Sequence, residues 1–298
     1  AIPVQSWPLA YWPDGSLKWT AHAVAAGENV TEGSRLEAGQ PVAPAHPLSV
    51  REVDGAYEID TGAIVARVAK TGAVLIPAVQ RDGLEILRNG RLVLLRQDSP
   101  EGRAEPEIFA GEIGEVVLEQ NGPVRAVVKI QGRHAAQGRS WLPFVVRLYF
   151  YAGGEAVRVM HTVVHDGDER KDFIRGLGLR FDVPLRGELH DRHVRFSGEG
   201  DGLFGEAVRT VTGLRRDPGA AVRAAQIAGE ATPPVSAWAP AAGGRMHFVP
   251  AFGDWSLFQS SADGFEIGKR TVEGCSWLTS ARGQRAGGLG YIGTPRGG

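Results

Sequence analysis

A single cysteine, Cys275, is all the chain has, so no internal disulfide can form and no cysteine set exists for structural zinc. Secretion without disulfides stays compatible with that. No apolar run approaches the twenty or so residues that cross a bilayer, and no signal-peptide pattern opens the chain. The first residue is Ala1, inside IPVQSWPLAYW, which reads as a strand already under way. A processed or truncated start is therefore expected, and the compartment, secreted or cytoplasmic, is left undecided. An excess of charge is missing too: 33 Lys+Arg against 34 Asp+Glu gives a net charge of -1 with no basic tract. Neither nucleic acid nor a membrane is an expected partner. GxSxG, HExxH, Walker and paired CxxC signals are all missing, and GQRAGGLG follows no βαβ pattern. No cofactor is expected and no metal site is assigned.

What is present is turn chemistry and β-forming residues. With 41 glycines, 18 prolines and valine-rich runs in 298 residues, many short strands are expected, in one large β domain or two smaller ones. The densest stretch is Trp141 to Val183. Trp141–Tyr151 and Ala156–His165 flank a glycine turn and predict a hairpin. Alternation puts His161 and His165 on one face, roughly 13 Å apart, too far for one metal ion. A polar cluster from Asp166 to Asp172 follows, then a further strand, Phe173 to Val183, with Arg175 and Arg180 embedded. Such a cluster at strand ends suits ligand binding; a solvated turn with surface ion pairs is the plainer alternative.

Elsewhere, Ile2–Trp12 and Leu17–Val24 predict a hairpin across Pro13-Asp14-Gly15-Ser16. Glu28–Pro47 reads as a connector with at most one strand, and a domain boundary is placed near residue 48. Strands are then expected at 57–60, 64–68, 74–76, 84–87, 92–95, 114–120 and 124–131. Turns at Thr61-Gly62, Thr71-Gly72, Asp82-Gly83, Asn89-Gly90 and Asn121-Gly122 divide them into an antiparallel meander. Asp217–Gly229 is the best helix candidate, and Ala231–Gly244 reads as a loop. Strands resume at 246–249, 255–260, 265–271 and 276–279.

Candidate chemistry falls in four places. The first hairpin offers Asp14, Lys18, Trp19 and His22. Exposed Trp12 and Trp19 would suit sugar rings, with charged neighbours taking hydroxyls or carboxylates, while a packing role for Trp7, Trp12 and Trp19 is the alternative. His161 lies among valines, where a core histidine is common, yet a buried histidine can act as acid or base near neutral pH. His190 and His193 are three apart with no evident third ligand, which argues against zinc. Lys269, Arg270, Trp277 and Arg282 group cations beside an aromatic ring. Arginine there could clamp a uronate carboxylate, against the alternative of ordinary edge-strand charge.

The phrases QSWPLAYWPDGSLKW, IDTGAIVARVAKTG, FYAGGEAVRVMHTVVHDGDERKDFIRGLGLRF, SLFQSSADGFEIGKRT and GLGYIG together resemble the exo-rhamnogalacturonan lyase family and its YetA-like relatives, across nearly the whole chain. The resemblance implies an all-β chain: part of a RIFT-type barrel over residues 1–48, then a large antiparallel β-supersandwich of the galactose-mutarotase-like kind over 49–298. It also implies a C-terminal α/α toroid, which does not follow before Gly298, so the sequence reads as a family member cut at both ends or much reduced. The implied partner is an acidic polysaccharide or oligosaccharide such as rhamnogalacturonan. The implied reaction is β-elimination at a uronic acid. A non-catalytic carbohydrate-binding or scaffolding role and glycoside hydrolysis by Asp166, Asp168 or Asp172 are the alternatives. On this reading His161 or His22 does acid or base work, and Arg175 or Arg270 neutralises the carboxylate. Trp12, Trp19, Lys18, Arg270 and Trp277 bind substrate. His165 stands where relatives are expected to carry an aromatic residue, so His161 is the family-like histidine.

Overall fold

The computed structural model describes residues 1–102, 105–213 and 216–295. The chain forms two compact units, Ala1–Pro184 and Leu185–Gly298. It is mostly β and its strand pairings are antiparallel.

The first unit opens with the expected hairpin, β1 (Val4–Tyr11) and β2 (Leu17–Val24). Its turn closes because the Asp14 carboxylate accepts from the Ser16 amide at 2.9 Å and hydroxyl at 2.6 Å, while Gly15 takes φ 85. Residues 28–47 carry no strand. Then follow β3 (Ser49–Val53), β4 (Ala56–Asp60), β5 (Val65–Ala69), β6 (Ile76–Arg81), β7 (Leu84–Gln97), β8 (Glu107–Asn121), β9 (Arg125–Ala136), β10 (Arg139–Tyr151), β11 (Arg158–Val163) and β12 (Phe173–Asp182). They form one ten-stranded sheet in the order β11-β10-β9-β8-β7-β6-β5-β4-β3, with β12 paired to β7. Two-residue turns join β3 to β4, β6 to β7 and β9 to β10. Asp54-Gly55, Asp82-Gly83 and Gln137-Gly138 all have positive φ at both positions, the geometry that matches strand twist.

Three expectations need correction here. The runs 84–87 and 92–95 are one strand, β7, and Asn89-Gly90 is not a turn. Asn89 takes φ 54 inside the strand and its amide donates to Asp182 at 2.7 Å, so the same dipeptide bends a strand instead of ending it. The strand expected at 74–76 begins only at Ile76. His165 lies beyond the end of β11, so it shares no strand face with His161.

The core of this unit is the inward face of the sheet. On β10 Phe144, Val146, Leu148 and Phe150 are buried at two-residue spacing, each worth about 1.5–3 kcal/mol. They meet Ile59, Val68, Leu75, Val128 and Ile130. The first hairpin joins this core through Ala23, and Gln5 fastens it by accepting from the Val124 and Arg125 amides and donating to the Arg125 carbonyl.

The second unit holds β13 (His193–Ser197), β14 (Leu203–Ala207), helix α1 (Ala220–Ala228), β15 (Asp254–Ser261), β16 (Gly264–Arg270), β17 (Leu278–Gly283) and β18 (Gly290–Gly293). These make two three-stranded sheets, β14-β13-β18 and β15-β16-β17. Helix α1 stops at Gly229, whose φ of 75 is the left-handed cap a glycine supplies freely. The strand expected at 246–249 is instead a 3-10 turn, Met246–Phe248, and another turn and a short helix (Pro240–Gly243) occupy the expected loop. A short apolar run has no period that separates strand from turn; here Met246 and Val249 pack with Val211, Val222 and Trp238.

Candidate functional site

Two groupings in the first unit gather chemistry. One is the tip of the β1–β2 hairpin. Trp12 and Trp19 are 50% and 62% exposed in this chain, so their ring faces are open to a ligand. The Lys18 ammonium lies 4.3 Å from the Trp12 ring centroid and 5.2 Å from that of Trp19. No ion pair or hydrogen bond among the described residues engages that ammonium. Two aromatic faces with one uncompensated cation can stack a sugar ring and meet its carboxylate. His22, on β2, is exposed, but its ring nitrogens already meet Ser6 Oγ at 2.7 Å and Thr20 Oγ1 at 3.1 Å.

The other grouping surrounds a β-bulge in β10. Trp141 and Leu142 are both buried, which strict alternation forbids, and the register with β9 shifts between Trp141 and Phe144. Leu142 takes φ 49, an unusual conformation for a leucine. Two side chains hold it there: the Asp166 carboxylate accepts from its amide at 2.7 Å, and His134 Nδ1 meets its carbonyl at 2.8 Å. A carbonyl only accepts, so Nδ1 of His134 carries the proton and Nε2 is a bare lone pair. That Nε2 is buried with no partner among the described residues, and so is Nε2 of His161. The two rings stand 6.3 Å apart, and Phe144 packs edge-on to both. Burial holds the pKa of each histidine below the ordinary imidazole value, helped at His161 by the neighbouring His134.

Beside the bulge, the segment expected to be a solvated turn is organised around a buried carboxylate. Asp172 accepts from Arg139 at 2.6 Å, the Asp168 amide at 2.7 Å and Arg96 Nε at 2.8 Å, and the guanidinium of Arg139 leads the causes that hold its pKa far below the usual carboxylate range. Arg96 also meets Glu107 at 3.1 Å and the Lys171 carbonyl at 2.7 Å. Arg133 pairs with Asp166, whose pKa is also lowered: burial opposes the shift, and Arg133 and the Leu142 amide outweigh it. His165 Nε2 meets the Asp172 carbonyl at 3.2 Å.

Arg175 is exposed on β12 at a register shift against β7. Arg270 and Trp277 belong to the second unit and meet there, the guanidinium 4.7 Å over the indole, with Nε of Arg270 also paired to Asp254 at 2.7 Å. His190 and His193 are buried; His193 contacts the carbonyls of Asp191 and Gln226, and His190 packs edge-on to Trp238. No group of three or more metal-ligating side chains occurs among the described residues. His134 escaped the sequence reading, although two-residue spacing from Val128 and Ile130 puts it on the inward face of β9.

Residues 48–298 match a family model described as the PcRGLX-like protein central beta sandwich domain. The chain belongs to the PcRGLX-like family. Residues 1–39 match the corresponding N-terminal RIFT barrel domain, so the Trp12–Lys18–Trp19 tip of this PcRGLX-like chain belongs to the RIFT part and the Leu142 bulge to the sandwich. A curated relative, "Uncharacterized protein YetA" of Bacillus subtilis (strain 168), is 36% identical over 304 residues, covering 99% of this chain and 35% of that protein. The PcRGLX-like chain thus spans about a third of the relative's length. The family is related to rhamnogalacturonan lyase.

Proposed function

We propose that this chain binds an acidic polysaccharide, rhamnogalacturonan being the first candidate, and that a chain of the relative's length cleaves it by β-elimination at a uronate. The observation that carries the reading is the hairpin tip, where an uncompensated lysine sits between two exposed tryptophans. Elimination needs a base for the C5 proton, a cation to neutralise the carboxylate so that negative charge can develop, and an acid for the leaving oxygen. His161 is the first choice for base, since its lowered pKa keeps it neutral at pH 7. His22 is the second. Arg175 is the better neutralising group, because Arg270 already faces Asp254; Trp12 and Trp19 stack the sugar.

A purely binding role for these residues is the second reading, and one observation favours it. Nε2 of His161 is enclosed by protein, and both nitrogens of His22 are occupied. Hydrolysis fares worse: a general acid needs a raised pKa, and Asp166 and Asp172 are both held as anions.

The test follows ultraviolet absorbance of unsaturated uronate with rhamnogalacturonan and other uronate polymers, using this chain and a C-terminally extended version. Absorbance from the extended chain that His161→Ala removes without unfolding supports elimination with His161 as base. Binding without product from either chain supports the second reading, and neither binding nor product refutes both.

A further inference from the structure

The second unit carries another exposed surface of aromatic and charged side chains, on the sheet β15-β16-β17. Register decides which residues share its faces. Phe258 stands opposite Glu266, and Glu266 opposite Arg282; one step along, Gly268 stands opposite Thr279, and Asp254 opposite Arg270. These make one face, since side chains two apart on a strand point the same way. The opposite face turns Phe265 and Ile267 into the interior, at 6% and 0% exposure, whereas Phe258 and Trp277 are 65% and 46% exposed.

Trp277 has a built seat. Its indole lies over Gly268, where a Cβ would come within 3.2 Å of the ring, and the Arg270 guanidinium covers it at 4.7 Å. The charges on this face are balanced in pairs: Arg282 Nε with Glu266 at 3.0 Å, Arg270 Nε with Asp254 at 2.7 Å, and Thr279 Oγ1 donating to Glu266 at 2.6 Å. A cavity of about 320 Å³ opens beside them, bounded by Phe258, Glu266 and Arg282 together with Gly264, Phe265 and Gly283.

We infer that this face is a binding site for a neutral saccharide. The ring C–H groups of a sugar lie on Phe258, and its hydroxyls span the Glu266–Arg282 pair. An ion pair held in place presents donors and acceptors side by side without net charge, which is what a hydroxyl, both donor and acceptor, can satisfy at once. A carboxylate would meet Glu266 as a like charge and compete with it for Arg282, so the uronate that suits Lys18 does not suit this face. Glu266 and Gly268 lie about 7 Å apart along β16, so Phe258 and Trp277 engage different sugar units of one chain. The ligand class rests on the carbohydrate reading above, but no residue is shared with the hairpin tip, so either can fail alone.

The test is calorimetric titration of a neutral galactose tetramer, and separately of a galacturonate tetramer, into the chain. The neutral tetramer binds, and Phe258→Ala and Trp277→Ala each weaken it roughly tenfold or more. Phe258→Tyr restores binding, and Glu266→Gln weakens it because the hydroxyl acceptor is halved. Both aromatic residues are exposed, so unchanged circular dichroism confirms that the variants fold. No heat from the neutral tetramer at millimolar concentration overturns the inference. So does neutral binding indifferent to Phe258 and Trp277, or sensitivity to these two residues with galacturonate alone. Uronate binding at the tip is read with the other ligand and with Trp12 and Lys18 variants, so its loss bears only on the proposed function.

Discussion

Replacing Asp172 by alanine tests whether the charged segment after β11 is a structural hub. The carboxylate is only 2% exposed and receives Arg96, Arg139 and the Asp168 amide. Removing one partner of a buried pair costs about 3–5 kcal/mol, because the other charge is stranded. Here Arg139 is 42% exposed and regains water, and Arg96, at 13%, keeps Glu107 and the Lys171 carbonyl. Those remaining contacts lower the expectation to about 2–4 kcal/mol, including roughly 1 kcal/mol for the orphaned Asp168 amide. For a unit of this size the melting temperature should fall roughly 5–15 °C. Urea unfolding measures it directly. The pH dependence adds a signature. A carboxylate with a lowered folded pKa stabilises above its unfolded pKa, and that stability is lost as pH falls toward the folded value. The gap between wild type and Asp172→Ala should therefore hold from pH 7 to 5 and close only below about 4. A gap under about 0.5 kcal/mol at pH 7, or one that closes by pH 5, refutes the hub.

The other predictions concern neighbouring features. His134 and His161 have folded pKa values below the unfolded one, so the unfolded chain binds more protons and stability falls as pH drops through about 6.5, by up to ~1.4 kcal/mol per pH unit for each ring. Urea titrations at pH 7 and 5 should show this slope, and a flat profile contradicts it. Gly132→Ala should destabilise by several kcal/mol or prevent folding, since its Cβ would fall on the Glu112 carbonyl oxygen of the paired strand; a normally stable variant would mean that β8 and β9 are not so closely paired. Asp166→Ala should cost about 1–3 kcal/mol by leaving the buried Leu142 amide unpaired, and hydrogen exchange at Leu142 should rise. Unchanged protection there would show that Asp166 does not hold the bulge.

Where local chemistry decides the structure, the sequence was readable. Asp82-Gly83 predicts a reversal because both residues tolerate positive φ, and a reversal is found. Asn89-Gly90 has the same chemistry, but Asn89 reaches Asp182 on β12, the paired strand 93 residues on, so the positive φ bends β7 instead of closing a turn. Partnership across the sheet cannot be read from a dipeptide. The site divides likewise. Trp12, Lys18 and Trp19 lie eight residues or fewer apart and come together through one hairpin. His134 and His161 meet because β9 and β11 flank β10, a pairing between residues 27 positions apart in the chain. Asp172, placed in a polar run, looked like surface, and its burial follows from arginines 76 and 33 residues away.

Acidic-glycan binding by this chain can be measured by titrating a galacturonate tetramer into wild type, Trp12→Ala and Lys18→Ala at low and at physiological salt. Saturable binding should weaken with salt and be lost in both variants, because stacking and charge act on the same sugar. Binding unaffected by either substitution, or none at millimolar ligand, would contradict it.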